Sequence, residues 1–410
     1  MMNNSVLIVG LGASGLMAAL TAAKNGAKVT IIEKNDIPGK KILATGNGKC
    51  NLANLDFRLD CYYSDCEDLN LFFKQFDVQD TIETFEELGL IIKNVNGYLY
   101  PVTNQATSVR DVLFNRLNQY DINVMFSKVP QSITKENNGF NVVIDNNKHY
   151  FDKVILACGS YAGIRKCDRV DSSIDGYSLA YHLGHSIIPV KPALTQIVCN
   201  ENFFKDIAGV RIDAIVKLVL DNSYIAEEYG ELQITDYGLS GIPIFQMSRI
   251  VAADNKRKYS IEIDFMPGVS EEEFAQICES RIIRFQGTTV SDFFTGLINT
   301  KLAELIVKLS KLDKNQIIDE TLTDQLISAL ALIKCFNVTV KNTKSFENAQ
   351  CCSGGVPVSE IDMTCMSQVC PNLFLCGEML NVDAKCGGYN LQWAWTTGYI
   401  AGKSAAGVMK

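Results

Sequence analysis

The sequence has no lysine- or arginine-rich run, and its 38 basic residues are outnumbered by 46 acidic ones, giving a formal net charge of −8. A chain that neutralises phosphodiesters carries a basic footprint, so nucleic acid is not an expected partner. Paired C-x-x-C spacing is missing too. The 14 cysteines are scattered over 410 residues, which speaks against a metal site or a disulfide scaffold and for reduced thiols in a cytoplasmic protein. No basic stretch precedes the apolar run from Val6 to Ala23, and glycines interrupt that run at fixed spacing. It therefore reads as buried strand, turn and helix, and neither an export signal nor a membrane span is expected. Internal repeats and low-complexity tracts are also absent.

What is present suits a large globular chain. Hydrophobic residues make up 47% and charged residues 20%, too apolar for disorder, and the length suggests two or three domains. Ser5–Val9 (SVLIV) and Lys28–Ile32 (KVTII) are continuous apolar strands, the pattern of a parallel sheet covered on both faces. Leu16 to Asn25 between them reads as a helix closed by Gly26. Strand, helix and strand form a βαβ unit. Lys153–Ala157 (KVILA) and Asn372–Leu375 (NLFL) are further strands of that kind. From about Pro192 the pattern alternates, as in Ala214–Leu220, and predicts an antiparallel sheet. Between about Val269 and Leu332 it turns helical, with a capping box at Ser270 and Glu273 and an apolar face of Leu302, Leu305, Ile306 and Leu309.

The strongest motif is Gly10-x-Gly12-x-x-Gly15 between strand and helix, with Glu33 ending the next strand. The first glycine permits a tight turn, the second lets a pyrophosphate approach the backbone, and the third lets helix pack on strand. Glu33 is placed to accept hydrogen bonds from ribose hydroxyls. These features fit NAD or FAD equally. A second glycine- and lysine-rich loop, Gly39 to Asn51, and a glycine turn at Gly387-Gly388 opening a long helix favour the larger cofactor, because both ends of the chain would then touch it. That last helix is expected over Asn390 to about Val408, with Ala394, Gly398, Ala401, Gly402 and Ala405 as a small-residue face. Its N-terminus is expected to direct N–H groups at the flavin N1–C2=O2 edge, with Gly387 and Gly388 letting backbone approach the ring.

The segments VGLGASGLMAA, GKKILATGNGKCNLAN, GYLYPVTNQA, GELQITDYGLSGIPI and LFLCGEMLNVDAKCGGYNLQWAWTTGYIAG resemble the BaiN-like, or aminoacetone-oxidase-like, family of NAD(P)/FAD-dependent oxidoreductases, and they run from one end of the chain to the other. The resemblance implies an α/β fold: a Rossmann-type FAD-binding domain of the two-dinucleotide-binding-domain type, interrupted by a β-barrel-like module that carries a helical insert. Boundaries follow at 1–190 with 346–410 for the FAD domain, 191–265 with 336–345 for the β-rich substrate or lid domain, and 266–335 for the insert. The FAD contacts expected on this basis are Gly10, Gly12, Ala13, Ser14 and Gly15 in the first turn, then Glu33 and Lys34. Lys41, Gly46, Gly48, Lys49, Cys50 and Asn51 follow in the second loop, and Val129, Ala157 and Gly159 in later turns. Gly377, Glu378, Asp383, Gly387, Gly388, Tyr389, Asn390 and Leu391 complete the set near the C-terminus. The chain departs from the family pattern at Asn47, Lys49, Asp236 and Asn381.

No catalytic acid or base stands out. Tyr389 and Cys50 are the candidates, since both adjoin the glycines expected near the flavin. Cys50 lacks a partner at disulfide-reductase spacing, residue 55 being leucine, and reads as a packed loop thiol. Cys61 and Cys66 have that spacing but lie in a polar segment. His182 and His185 read as a helix-end cap pair, and Trp393 and Trp395 as core. The expected activity is hydride transfer from NAD(P)H through FAD to a small organic acceptor, such as a conjugated enone. An amine oxidase using oxygen and a non-catalytic flavin redox sensor or electron carrier are the rivals. No second nucleotide fingerprint is present, so NAD(P)H would dock transiently beside the flavin or not be the donor at all. Metal is not expected, and the oligomeric state is left open.

Overall fold

The computed structural model describes residues 4–164 and 175–408. Contacts divide the chain into two compact units, Met1–Lys191 with Gln350–Lys410, and Pro192–Ala349.

The first unit is built on β1 (Ser5–Val9), α1 (Ala13–Lys24), β2 (Lys28–Glu33), β3 (Ala53–Asn54), β4 (Asn123–Phe126), β5 (Lys153–Leu156), β6 (Leu373–Leu375) and α2 (Tyr389–Ala405). Five strands form a sheet in the order β6-β5-β1-β2-β4, every neighbouring pair parallel. Val6, Leu7 and Ile8 are completely buried, because both faces of β1 are covered, and this is why its sequence is apolar without alternation. The chain leaves β1 toward β2 on one side and meets β5 on the other. The carboxyl end of β1 is therefore the switch point where open parallel sheets form a ligand crevice.

Helices α1 and α2 pack at close range, and the small-residue face of α2 explains how. A Cβ on Gly398 would overlap Ser14 O, and one on Gly402 would overlap Ala18 O. The face expected from sequence thus serves α1. The helix itself runs one residue earlier at its start and three shorter at its end than the pattern suggests.

The second unit holds a closed barrel of six strands, in the spatial order Ile197–Cys199, Gly238–Gly241, Ser223–Thr235, Arg211–Leu220, Tyr259–Asp264 and Phe336–Thr343. Closure removes sheet edges. Ala214, Val216 and Leu218 fill its interior at alternate positions. The helices Glu271–Arg284, Val290–Phe294, Thr300–Leu309 and Thr323–Lys334 lie between its last two strands in sequence. Ser270 and Glu273 form the expected capping box. Leu302, Leu305 and Ile306 are buried, whereas Leu309 is 43% exposed, a departure from the expected face: it is the last residue of its helix, where that face ends.

Candidate functional site

The turn after β1 is closed by the protein at two glycines and open at the third. A Cβ on Gly10 would lie 2.5 Å from Ala157 O, and one on Gly15 would overlap Gly10 O, whereas one on Gly12 would meet nothing within 4 Å. Gly12 is also the N-cap of α1, with no side-chain cap and no acid in the first turn. Ala13, Ser14 and Gly15 therefore present N–H groups without intrahelical acceptors at the positive end of the helix dipole, beside free space. That is the local chemistry of an anion site.

Glu33, at the end of β2, is buried. Its Oε2 accepts the Leu11 N–H at 2.6 Å, and its Oε1 accepts Asn35 N at 2.8 Å and Asn35 Nδ2 at 2.5 Å. A carboxylate has roughly four lone-pair sites, so a ribose hydroxyl would share Glu33 with the glycine turn. Lys128 N donates to Glu33 O at 3.0 Å and Ser127 N to Asn35 O at 3.0 Å, which brings exposed Val129 alongside. Lys34 is exposed, and its charge acts on Cys158.

Three distant segments meet at Glu378. Lys41 Nζ pairs with Glu378 Oε2, and Ser160 Oγ donates to the same oxygen at 3.2 Å. Burial works to lower the Lys41 pKa, but the charge and hydrogen bond of Glu378 outweigh it and hold the ammonium above its usual value. Ser160 follows Ala157 and Gly159, and a Cβ on Gly159 would again meet nothing within 4 Å. In the second loop, Gly46, Asn47, Gly48 and Cys50 all take positive φ, while Lys49 is exposed. Cys50 is fully buried, and burial pushes its thiol up to about 12. Cys61 is buried, Cys66 half-buried, and both are free thiols. Asn51 Oδ1 is buried with no hydrogen-bond partner, an acceptor that the protein leaves for another donor.

The C-terminal segment departs from expectation in its reasons. A Cβ on Gly388, whose φ is +93°, would lie 2.7 Å from the Ala53 carbonyl carbon. Strand β3 thus requires this glycine, whatever lies near the ring. Gly387 O accepts Asn54 Nδ2 at 3.2 Å. Gly377 is pressed on Ser14, and its N–H donates to Thr397 Oγ1 at 2.9 Å. Asn390 pairs both amide atoms with the Ala384 backbone at 3.0 Å, next to buried Asp383, and Leu391 is half-buried. The Tyr389 hydroxyl donates to Asp56 O at 2.9 Å, and burial and Cys61 push its pKa up. Gly388 caps α2 without a side-chain bond or a first-turn acid, so α2, like α1, begins with free N–H groups.

Trp393 and Trp395 are buried, donating to Gly377 O and Leu52 O at 3.3 and 3.0 Å. His182 Nδ1 lies 2.7 Å from Ser178 O at a helix end, but His185 is no cap: its buried ring pairs with Glu360 Oε2 at 2.7 Å. Sequence spacing could not show that, since the partner is 175 residues away. The sequence reading did not single out Tyr98 and Tyr100, whose rings lie beside Gly387 and Gly46. No group of residues suited to a metal ion occurs among the described residues, and no described helix is long and apolar enough to cross a membrane.

The open approach at Gly12 and Gly159, the two uncapped helix starts and the orphaned Asn51 Oδ1 fit an extended dinucleotide such as FAD. Comparison with known proteins gives the family. The family model described as HI0933-like protein Rossmann domain matches residues 4–404. The chain is 38% identical over 409 residues to a 3-dehydro-bile acid delta(4,6)-reductase of Clostridium scindens, covering 98% of this chain and 99% of the relative. It is 24% identical to a ribosomal RNA dihydrouridine synthase of Escherichia coli, covering 97% and 98%, and 25% identical to one of Haemophilus influenzae, covering 97% of each. The chain belongs to the HI0933-like Rossmann-domain family, and is a flavin-dependent oxidoreductase of the BaiN-like kind that its sequence resembles.

Proposed function

We propose that this chain is a reductase that uses FAD to pass a hydride from NAD(P)H to a carbon–carbon double bond conjugated with a carbonyl in a small organic acceptor. The observation that carries the cofactor part is the turn at Gly12, open to an anion and flanked by Glu33. FMN has no second phosphate and no adenosine ribose to use it. The acceptor part is supported by the end-to-end similarity to a protein named as a delta(4,6)-reductase of a 3-dehydro bile acid, a name that describes an enone. Bound FAD would supply the redox chemistry, with the first turns of α1 and α2 and Glu33, Lys41 and Asn51 holding and orienting it. No nicotinamide fingerprint follows a second strand, so the donor docks transiently.

The test is anaerobic stopped-flow on purified protein. The released cofactor is expected to be FAD. NADH or NADPH is expected to bleach the flavin, and enones such as 4-en-3-one steroids to restore its colour. Ribosomal RNA belongs in the panel, since the uracil ring also has a conjugated double bond and two relatives carry that substrate in their names. Reoxidation by RNA alone overturns the small-molecule reading. Oxygen uptake with an amine and no nicotinamide overturns the reductase reading.

A further inference from the structure

The hairpin strand Tyr98–Pro101 alternates half-buried and buried residues. Leu99 and Pro101 face the core, so Tyr98 and Tyr100 share the opposite face. That face looks onto the two glycine segments of the site. Tyr100 Cε1 is 3.8 Å from where a Cβ on Gly46 would stand, and Tyr98 Cε1 is 3.1 Å from one on Gly387. The strand is held by pairing with β3 and with Ile92–Val95, Tyr98 opposite Asn54 and Tyr100 opposite Lys93. Every other polar aromatic group near these glycines is committed to the protein: Tyr389 donates to Asp56 O and Tyr62 to Tyr389 O. Among the described residues near these glycines, the Tyr98 and Tyr100 hydroxyls are the ones left to a ligand.

We propose that Tyr98 and Tyr100 form the acceptor-facing wall of this site, and that the Tyr100 phenol is the proton donor of the reaction. This rests on the enone reading above. When bound, reduced FAD supplies a hydride to the β-carbon. The electron pair of the C=C bond then moves onto the α-carbon and carbonyl oxygen, and Tyr100 Oη gives its proton to the α-carbon. The acceptor gains two electrons and two hydrogens, and solvent returns the proton to the phenolate. The groups facing Tyr100 suit a phenol that stays protonated until needed. Burial raises its pKa, and Cys386, Tyr98 and Cys50 raise it further, with Lys93 opposite it across the strand pair.

Tyr100→Phe separates this role from packing. The variant is expected to load FAD and to be reduced by the nicotinamide donor at the parent rate, but to be reoxidised by an enone about 100-fold more slowly, the usual weight of a positioned acid. A second readout needs no substrate. Raising the pH of oxidised holoenzyme should perturb the visible flavin band as the phenol ionises, and Tyr100→Phe should remove that transition, while Tyr181→Phe, at an exposed helix position, should retain it. An unchanged reoxidation rate, or an alkaline transition that survives in Tyr100→Phe, overturns the proposal. If no enone reoxidises the parent, the enone reading and the proton-donor role fall together. Loss of reoxidation in the variant alone supports both.

Discussion

The N–H of Leu11 donates to Glu33 Oε2 at 2.6 Å, tying the glycine turn after β1 to the end of β2 before any cofactor arrives. Glu33 is thus a structural clamp as well as a candidate ribose acceptor. Glu33→Ala leaves the buried N–H groups of Leu11 and Asn35 without their carboxylate, at a cost of about 2–4 kcal/mol in the stability of the apoprotein. Glu33→Gln keeps part of the hydrogen bonding and should lose less. Urea unfolding of cofactor-free protein measures this, and FAD titration of the same variants measures the second role. Equal stability of Glu33→Ala and parent would show that the clamp carries nothing.

The βαβ unit was legible because its signals are local: continuous apolar strands and glycines at fixed spacing within about thirty residues. The capping box at Ser270 and Glu273 was legible for the same reason. What stayed hidden depends on partners far along the chain. The demand for glycine at 388 comes from Ala53, the partner of His185 is Glu360, and the small face of α2 is shaped by Ser14 and Ala18. Leu309 was misplaced because periodicity alone does not say where a helical face stops. A glycine in a sequence announces a close approach without naming what approaches.

The contact between α1 and α2 gives a second prediction. Gly398→Ala places a methyl group on Ser14 O, and neither backbone can yield without moving the turn at Gly12. Overpacking of this kind costs about 3 kcal/mol or more. The thermal midpoint should fall, and FAD affinity should fall with it, because Ser14 lies in the first turn of α1. Ala394→Gly, on the same helix, should lower stability without the same loss of FAD. A Gly398→Ala protein with parental melting and FAD affinity would contradict the packing.

Thiol chemistry gives a third. Among the described cysteines Cys335 is exposed, though partial burial and Glu262 push its thiol up as well, whereas Cys50 and Cys376 are fully buried with thiols pushed up to about 12 by burial. The thiolate is the reactive form. Iodoacetamide at pH 8 should therefore label Cys335 and spare Cys50 and Cys376 in native protein, while flavin reduction continues. Peptide mass spectrometry after timed labelling reads this directly. Early labelling of Cys50 coupled to loss of turnover would restore the thiol as a catalytic group.

Glu360 gives the pH dependence. Its Oε2 lies 2.7 Å from His185 Nδ1, and its carboxylate also accepts Ser186 N–H at 3.1 Å and the Ser186 hydroxyl. Burial alone would raise the pKa, but the bonds from Ser186 and His185 outweigh it and hold the carboxyl below its usual range. A carboxylate depressed in the folded state stabilises the fold fully above its unfolded pKa, roughly 4.3. That contribution is lost as pH falls through the lower, folded value. Glu360→Gln should therefore be less stable than parent by about 2 kcal/mol at pH 7, since His185 keeps a buried ring without its charged partner. The gap should close as the pH falls below the depressed folded value of the parental carboxyl, where that carboxyl is protonated too. Urea midpoints across that range check the sign: a gap that is constant with pH, or that widens in acid, would mean the pair does not hold this corner of the first unit through its charge.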